Sequence, residues 1–98
     1  MGFFSKPKFG DVASYLEKGA IILDVRTEAE FEEGHAQGSK NIVLNTLPDF
    51  LEEIKTFNKP IITCCRSGAR SGSAETYLKQ EGLDVINGGP WQNVDQFI

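Results

Sequence analysis

The chain has 98 residues, which is enough for one domain and too few for two. Hydrophobic residues make up 40% and charged residues 24%, a composition typical of a folded globular domain and not of a disordered chain. The formal net charge of −4 argues against a general nucleic-acid binder, and no apolar run approaches the roughly 20 residues of a membrane span.

Short apolar runs rich in Ile and Val divide the chain at regular intervals. Their apolar residues are consecutive, which is typical of strands that are covered on both faces, as in a parallel sheet. The runs are too short for buried helices and are bounded by Gly, Pro and Asn. The predicted strands are residues 20–25, 41–44, 60–64 and 83–86.

Helix signals occupy the gaps between these runs. Thr27 and Glu30 have the spacing of a capping box, and Pro48 suits the first turn of a helix. The predicted helices begin near Asp11, Thr27, Thr46, Ser71 and Pro90. The alternation predicts an α/β fold for residues 1–98, a single domain with a central, mostly parallel β-sheet flanked by helices on both faces.

The two cysteines, Cys64 and Cys65, are adjacent, which does not suit a disulfide framework. With His35 as the one histidine and no spaced cysteine pair, we expect no metal site and no other cofactor. The first residues lack the long apolar core of a secretory signal. We therefore expect a cytoplasmic protein whose thiols stay reduced, with no nucleic-acid or membrane partner.

The loop after the third predicted strand carries the clearest chemical signal. Cys65 lies where that strand ends, and Ser71 marks the start of the next helix. Inward-facing backbone N–H groups and a helix N-terminus both favour thiolate over thiol. We expect the Cys65 sulfur to be ionised at neutral pH and within reach of solvent. The intervening residues, predicted to bind the substrate, are Arg66, Ser67, Gly68, Ala69 and Arg70.

The three arginines all fall at the ends of two predicted strands. Arg66 and Arg70 flank the loop, and Arg26 follows Asp24 at the end of the first strand. In a chain of negative net charge this placement indicates a local anion site. Arg26 has an alternative role, in which it pairs with a nearby carboxylate.

The segments LDVRTEAEFEEGHAQGSKNI, CRSGARSGSA and INGG, in this order, resemble the rhodanese (thiosulfate sulfurtransferase) superfamily in its single-domain form. The resemblance runs from about Asp11 to Trp91. It implies that Cys65 takes a sulfane sulfur, becomes a persulfide and passes the sulfur to an acceptor. It also implies that residues 65–70 form a cradle of amides, with Asp24 and Arg26 as supporting residues near the site.

The implied partner is a small sulfur donor, thiosulfate or a persulfide, with cyanide, a thiol or a thiol carrier protein as acceptor. Ser71 at the helix start joins the supporting residues. No metal or organic cofactor is needed for this reaction.

Three alternatives remain open at this stage. Counting from Cys64, five residues precede Arg70, a spacing that resembles cysteine-dependent phosphatases and arsenate reductases. Cys64 could instead resolve an oxidised Cys65, although a buried core role is the more common one for such a cysteine. Rhodanese-like domains also serve as non-catalytic binding modules.

Overall fold

The computed structural model describes residues 9–98. Its strands are β1 (Ile21–Asp24), β2 (Lys40–Asn41), β3 (Ile61–Cys65) and β4 (Val85–Pro90). Its helices are α1 (Val12–Glu17), α2 (Glu28–Glu33), α3 (Leu47–Thr56), α4 (Ala69–Gln80) and α5 (Trp91–Asp95), with a 3₁₀ turn at Leu44–Thr46. Within residues 9–98, no helix is long and apolar enough to cross a bilayer.

The four strands form one parallel sheet in the order β2-β1-β3-β4. All five residues of the central strand β3 are buried. Because successive side chains of a strand point to opposite faces, β3 supplies both sides of the sheet. Ile61 and Cys65 pack into the core on one face, while Ile62 and Cys64 pack into the core on the other.

Helices cover both faces of the sheet. Ile54 of α3 and Leu78 of α4 are fully buried in one core. Val12 of α1 and Val94 of α5 are buried in the other. The predicted α/β architecture, with a central parallel sheet between helices, is therefore confirmed.

Helix capping follows the sequence at two of the predicted starts. The Asp11 carboxylate accepts the Ser14 N–H at 3.1 Å, and α1 begins at the next residue. Thr27 and Glu30 form a complete capping box, which satisfies two N–H groups that the first turn leaves without a helical partner. At Thr46, by contrast, no side-chain cap forms, because its hydroxyl donates back to the Val43 carbonyl at 2.7 Å.

The second predicted strand, residues 41–44, is wrong in extent. β2 has two residues, Lys40–Asn41, although the Ile42 and Leu44 N–H groups beyond it still donate to the Asp24 and Val25 carbonyls. The Asn41 side-chain amide also donates to the Asp24 and Arg26 carbonyls at 3.0 and 2.9 Å. The fourth strand is also longer than predicted, since it runs through the Gly88–Gly89 pair to Pro90.

The predicted start of α4 at Ser71 is two residues too late. Gly68 is the N-cap with φ +100°, a left-handed conformation that glycine adopts without steric cost. The Gly72 N–H then donates to the Gly68 carbonyl at 2.9 Å, so helical bonding begins directly after the loop. The consequence is a loop of three residues, 66–68, between β3 and α4.

Candidate active site

The carboxyl ends of the parallel strands meet at one edge of the sheet, and all predicted site residues lie there. Cys65 is the last residue of β3, and the N-terminus of α4 turns back over it. Asp24 ends β1, the neighbouring strand.

Three donors converge on Cys65 Sγ. The Gly68 N–H donates to it at 3.0 Å, the Ser71 N–H at 3.4 Å and the Ser71 hydroxyl at 3.3 Å. Burial opposes ionisation of this thiol, but the hydrogen bonds from Ser71, Gly68 and Ser67 outweigh it. The pKa of Cys65 therefore lies below the ordinary thiol value. The short loop builds a cradle that favours an anionic sulfur.

The sulfur is not within reach of solvent, contrary to the expectation from the sequence. Cys65 is 0% exposed. The Phe9 ring lies against this part of the loop: a Cβ placed on Gly68 would meet Phe9 Cε1 at 2.6 Å. The same ring lies against Gly89, where a Cβ would meet Phe9 Cδ2 at 2.6 Å. Any substrate must therefore reach the sulfur through a movement of the surrounding residues.

Cys64 faces away from this cradle. It is 0% exposed and packs in the core on the opposite side of the sheet from Cys65. Burial raises the pKa of its thiol, so the neutral form is favoured. This placement disfavours the phosphatase-like alternative, which needs Cys64 in the loop, and the resolving-thiol alternative, which needs the two sulfurs on one side.

Arg26 is paired and buried. Its guanidinium donates to both Asp24 oxygens, with Nε at 2.9 Å from Oδ1 and Nη2 at 2.6 Å from Oδ2. It also donates to the Glu30 and Gly34 carbonyls at 3.2 and 2.7 Å, and its Cζ lies 5.4 Å from the centre of the Trp91 ring. Arg26 and Asp24 therefore link the end of β1 to Glu30 within α2 and to the C-cap residue Gly34.

Arg70 is also paired, through a contact that the sequence did not predict. Its two terminal nitrogens donate to the two Glu30 oxygens at 2.7 and 2.9 Å. Hydrogen bonding to Arg70 lowers the pKa of Glu30 to about 2, while the same pair, together with the nearby Cys65, raises the pKa of Arg70. The positive charge of Arg70 is thus largely neutralised before any substrate arrives.

Arg66 differs from the other two arginines. Within residues 9–98 it has no ion pair within 4.0 Å, and its side chain is exposed. It lines a shallow cavity of about 280 Å³ with Arg26, Glu30, Gly34 and Trp91 among the other lining residues. A larger cavity of about 550 Å³, between Phe31 and Phe50, includes no residue of the loop.

Asn87 is a site residue that the sequence reasoning missed. Its amide nitrogen donates to the Gly68 carbonyl at 2.9 Å. Its amide oxygen accepts from the Ser71 hydroxyl at 2.7 Å and from the Gly89 N–H at 2.9 Å. The signal in the sequence was an asparagine placed between the end of the predicted strand, residues 83–86, and the Gly88–Gly89 pair.

The chain is thus a parallel α/β domain that holds a buried cysteine thiol in a loop of N–H donors between a strand and a helix. The Rhodanese-like domain family matches residues 9–89 of this chain. The chain belongs to the rhodanese-like domain family, as the sequence motifs predicted.

Two curated relatives and one solved structure illustrate the similarity. The thiosulfate sulfurtransferase GlpE of Stutzerimonas stutzeri is 35% identical over 69% of this chain and 62% of its own length. The uncharacterized protein YqhL of Bacillus subtilis is 41% identical over 68% of this chain and 52% of its own length. This chain thus matches less than two thirds of the length of either relative. A Staphylococcus saprophyticus structure has a TM-score of 0.70 at 30% identity, covering 85% of this chain and 88% of that one.

Proposed function

We propose that this chain is a sulfurtransferase that moves a sulfane sulfur from thiosulfate or a persulfide donor to an acceptor through a persulfide on Cys65. The observation that carries the proposal is the set of three hydrogen bonds to Cys65 Sγ from Gly68 and Ser71. The similarity to a thiosulfate sulfurtransferase supports the reaction class. Cyanide, a small thiol or a thiol on a carrier protein serves as the acceptor.

The first half-reaction is a displacement at sulfur. The Cys65 thiolate attacks the outer sulfur of thiosulfate and forms a new S–S bond. The old S–S bond breaks with its electron pair on the leaving group, sulfite. The Cys65 thiolate and the thiosulfate dianion thus give a persulfide anion and a sulfite dianion, so charge and atoms balance. The acceptor then attacks the outer sulfur and releases the Cys65 thiolate.

The loop lowers the energy of this chemistry by placing donors where negative charge resides. Backbone N–H groups fixed in a water-excluded site stabilise an anion without having to reorganise. Gly68 and Ser71 donate to the thiolate directly. In the proposed persulfide, the amides of residues 66–70 receive the outer sulfur, and Arg66 at the cavity rim attracts anionic donors.

The pairing of Arg70 with Glu30 bears on the choice of donor. A guanidinium whose two terminal nitrogens already bind a carboxylate has little left to offer to thiosulfate. Arg70 would bind a dianionic donor only by displacing Glu30. We therefore propose that donors of lower charge, such as a thiol persulfide, are used at least as well as thiosulfate.

The full burial of Cys65 favours a second candidate function, a non-catalytic binding module. A module of this kind needs the folded surface but no access to the sulfur. The catalytic proposal instead requires that the residues over the loop open on a timescale faster than turnover. Loop motions in proteins range from nanoseconds to microseconds, which is fast enough.

A matched pair of cysteine variants tests the proposal. Thiocyanate formation from cyanide is measured with thiosulfate and with a thiol persulfide as donors, for the unaltered chain, Cys65→Ser and Cys64→Ser. We expect Cys65→Ser to abolish transfer and Cys64→Ser to keep most of it. A chain that transfers no sulfur from either donor would support the binding module instead.

A further inference from the structure

The Ser71 hydroxyl has two neighbours that can accept its proton. One is Cys65 Sγ at 3.3 Å, and the other is Asn87 Oδ1 at 2.7 Å. A serine hydroxyl carries one hydrogen and therefore donates to one of them at a time. Ser71 itself is fully buried, so water does not supply an alternative partner.

The orientation of the Asn87 amide is fixed by its other contacts. The Gly68 carbonyl can only accept, so the atom that faces it at 2.9 Å is the nitrogen. The Gly89 N–H can only donate, so the atom that faces it at 2.9 Å is the oxygen. In a flipped amide, the oxygen would face the Gly68 carbonyl, which is also an acceptor. The nitrogen would face the Gly89 N–H, which is also a donor. The group that Asn87 presents to Ser71 is consequently an acceptor.

We propose that Asn87 is a positioning residue that holds the Ser71 proton whenever the Cys65 sulfur carries no negative charge. When Cys65 is a thiolate, the charged sulfur is the stronger acceptor and the hydroxyl turns to it. When Cys65 is a thiol, the hydroxyl returns to Asn87. The Ser71 hydroxyl is thus a two-position switch that follows the charge on the sulfur.

The switch deepens the proposed sulfurtransferase function, and its second consequence rests on that function. In a persulfide the negative charge resides on the outer sulfur. The inner sulfur of Cys65 is then a weaker acceptor for the Ser71 hydroxyl. Without Asn87, the hydroxyl would lose a hydrogen bond when the thiolate is converted to the persulfide. With Asn87, that bond is replaced, and the persulfide becomes easier to form.

The charged groups near the switch stay in place when Asn87 is replaced. Arg70 is bound to Glu30 through side chains alone. Glu75 accepts from the backbone N–H of residue 87 at 3.1 Å, which any non-proline residue retains, and pairs with Lys79 at 3.2 Å. Among residues 9–98, the titratable and charged groups around the loop are Asp24, Arg26, Glu30, Cys64, Arg66, Arg70, Glu75 and Lys79.

The test is a titration of the thiolate by its absorbance near 240 nm, which needs neither a donor nor turnover. Cys64 does not interfere, because burial raises its pKa. We expect Asn87→Leu to shift the midpoint to lower pH, with about a fivefold change in the ionisation constant, the size of one neutral hydrogen bond. If Asn87→Leu does not fold, Asn87→Ala removes the same acceptor and gives the same shift.

Two further variants separate a switch from simple loosening of the loop. In a Ser71→Ala background, the Asn87 substitution should leave the midpoint unchanged, because no hydroxyl remains to be redirected. Asn93→Leu is the matched control. The Asn93 amide donates at 2.8 Å to the carbonyl of Gly88, which is in the same strand as Asn87, and it does not contact Ser71. We expect the Asn93 variant to titrate as the unaltered chain does.

The persulfide consequence is measured separately, as the ratio of persulfidated to free protein at fixed thiosulfate and sulfite. Asn87→Leu should lower that ratio about fivefold, for the same hydrogen bond. An unmoved or raised midpoint in Asn87→Leu, or an equal shift with Ser71→Ala present, would overturn the switch. If the midpoint of Asn87→Leu shifts as expected but the unaltered chain never forms a persulfide, the proposed function is wrong. The switch would then still apply to the ionisation of the Cys65 thiol.

Discussion

The buried pair of Asp24 and Arg26 gives the sharpest prediction about stability. Asp24 is 0% exposed and Arg26 5% exposed, and the guanidinium contacts both carboxylate oxygens within 3.0 Å. Arg26→Ala leaves the Asp24 carboxylate buried without its partner and releases the Glu30 and Gly34 carbonyls. Breaking one side of a buried pair in this way costs about 3–5 kcal/mol.

That loss is large for a domain of this size. The whole free energy of unfolding of a 98-residue domain is expected to be about 5–15 kcal/mol. With a urea m-value of about 1–3 kcal/mol per molar, the unfolding midpoint of Arg26→Ala should fall by about 1 M or more. Trp91, the one tryptophan of the chain, lies next to Arg26 and reports the transition by fluorescence, with far-UV circular dichroism as a second probe.

The exposed pair of Lys55 and Glu52, 3.7 Å apart, provides the control. Lys55→Ala should change the unfolding free energy by about 0.5 kcal/mol or less, because exposed pairs contribute little. Below its unfolding transition, folded Arg26→Ala should keep sulfur transfer. A stable Arg26→Ala protein that has lost transfer would refute the supporting role and return Arg26 to the substrate site.

Three other predictions follow from the loop and its neighbours. Glu30→Gln keeps the capping box but removes the carboxylate that neutralises Arg70. In steady-state assays, KM for thiosulfate should therefore fall while KM for a neutral donor stays constant. Equal changes in the two KM values would contradict the neutralisation of Arg70 by Glu30. Because the pKa of Glu30 is lowered to about 2 from 4.5, its stabilising contribution is complete above about pH 4.5 and is lost as pH falls through 2. Acid unfolding followed by circular dichroism should show this loss, and Glu30→Gln should remove it; an unchanged acid midpoint would disprove it. Gly68→Ala should lower the free energy of unfolding, measured by urea denaturation, by about 2 kcal/mol or more. The reason is that alanine is strained at φ +100° and that its Cβ meets the Phe9 ring. An unchanged free energy of unfolding would exclude that loop geometry.

The sequence was sufficient for the fold because the fold depends on local signals. Apolar runs bounded by turn residues predicted all four strands, and the capping box of Thr27 and Glu30 marks its helix as predicted. Element boundaries were less accurate, because they depend on backbone geometry that an apolar pattern does not encode. β2 has two residues instead of the four predicted, and Gly68 as N-cap moves the start of α4 forward by two residues.

The candidate site was predicted only in part, because its remaining features depend on contacts between distant residues. The motif gave Cys65 and the loop, but the partner of Arg70 is Glu30, 40 residues away. Asn87 lies 16 residues from Ser71 in sequence, and its role depends on the register of β4 against β3. The burial of Cys65 likewise depends on packing that no local pattern encodes.

We propose that Cys65, and not Cys64, carries the transferred sulfur. Intact mass spectrometry after incubation with a donor, followed by a chase with cyanide, tests this on each single-cysteine variant. We expect Cys64→Ser to gain one sulfur atom and to lose it to cyanide, while Cys65→Ser gains none. A sulfur adduct on Cys65→Ser that cyanide removes, or no adduct on either variant or on the unaltered chain, would show that Cys65 does not carry the sulfur.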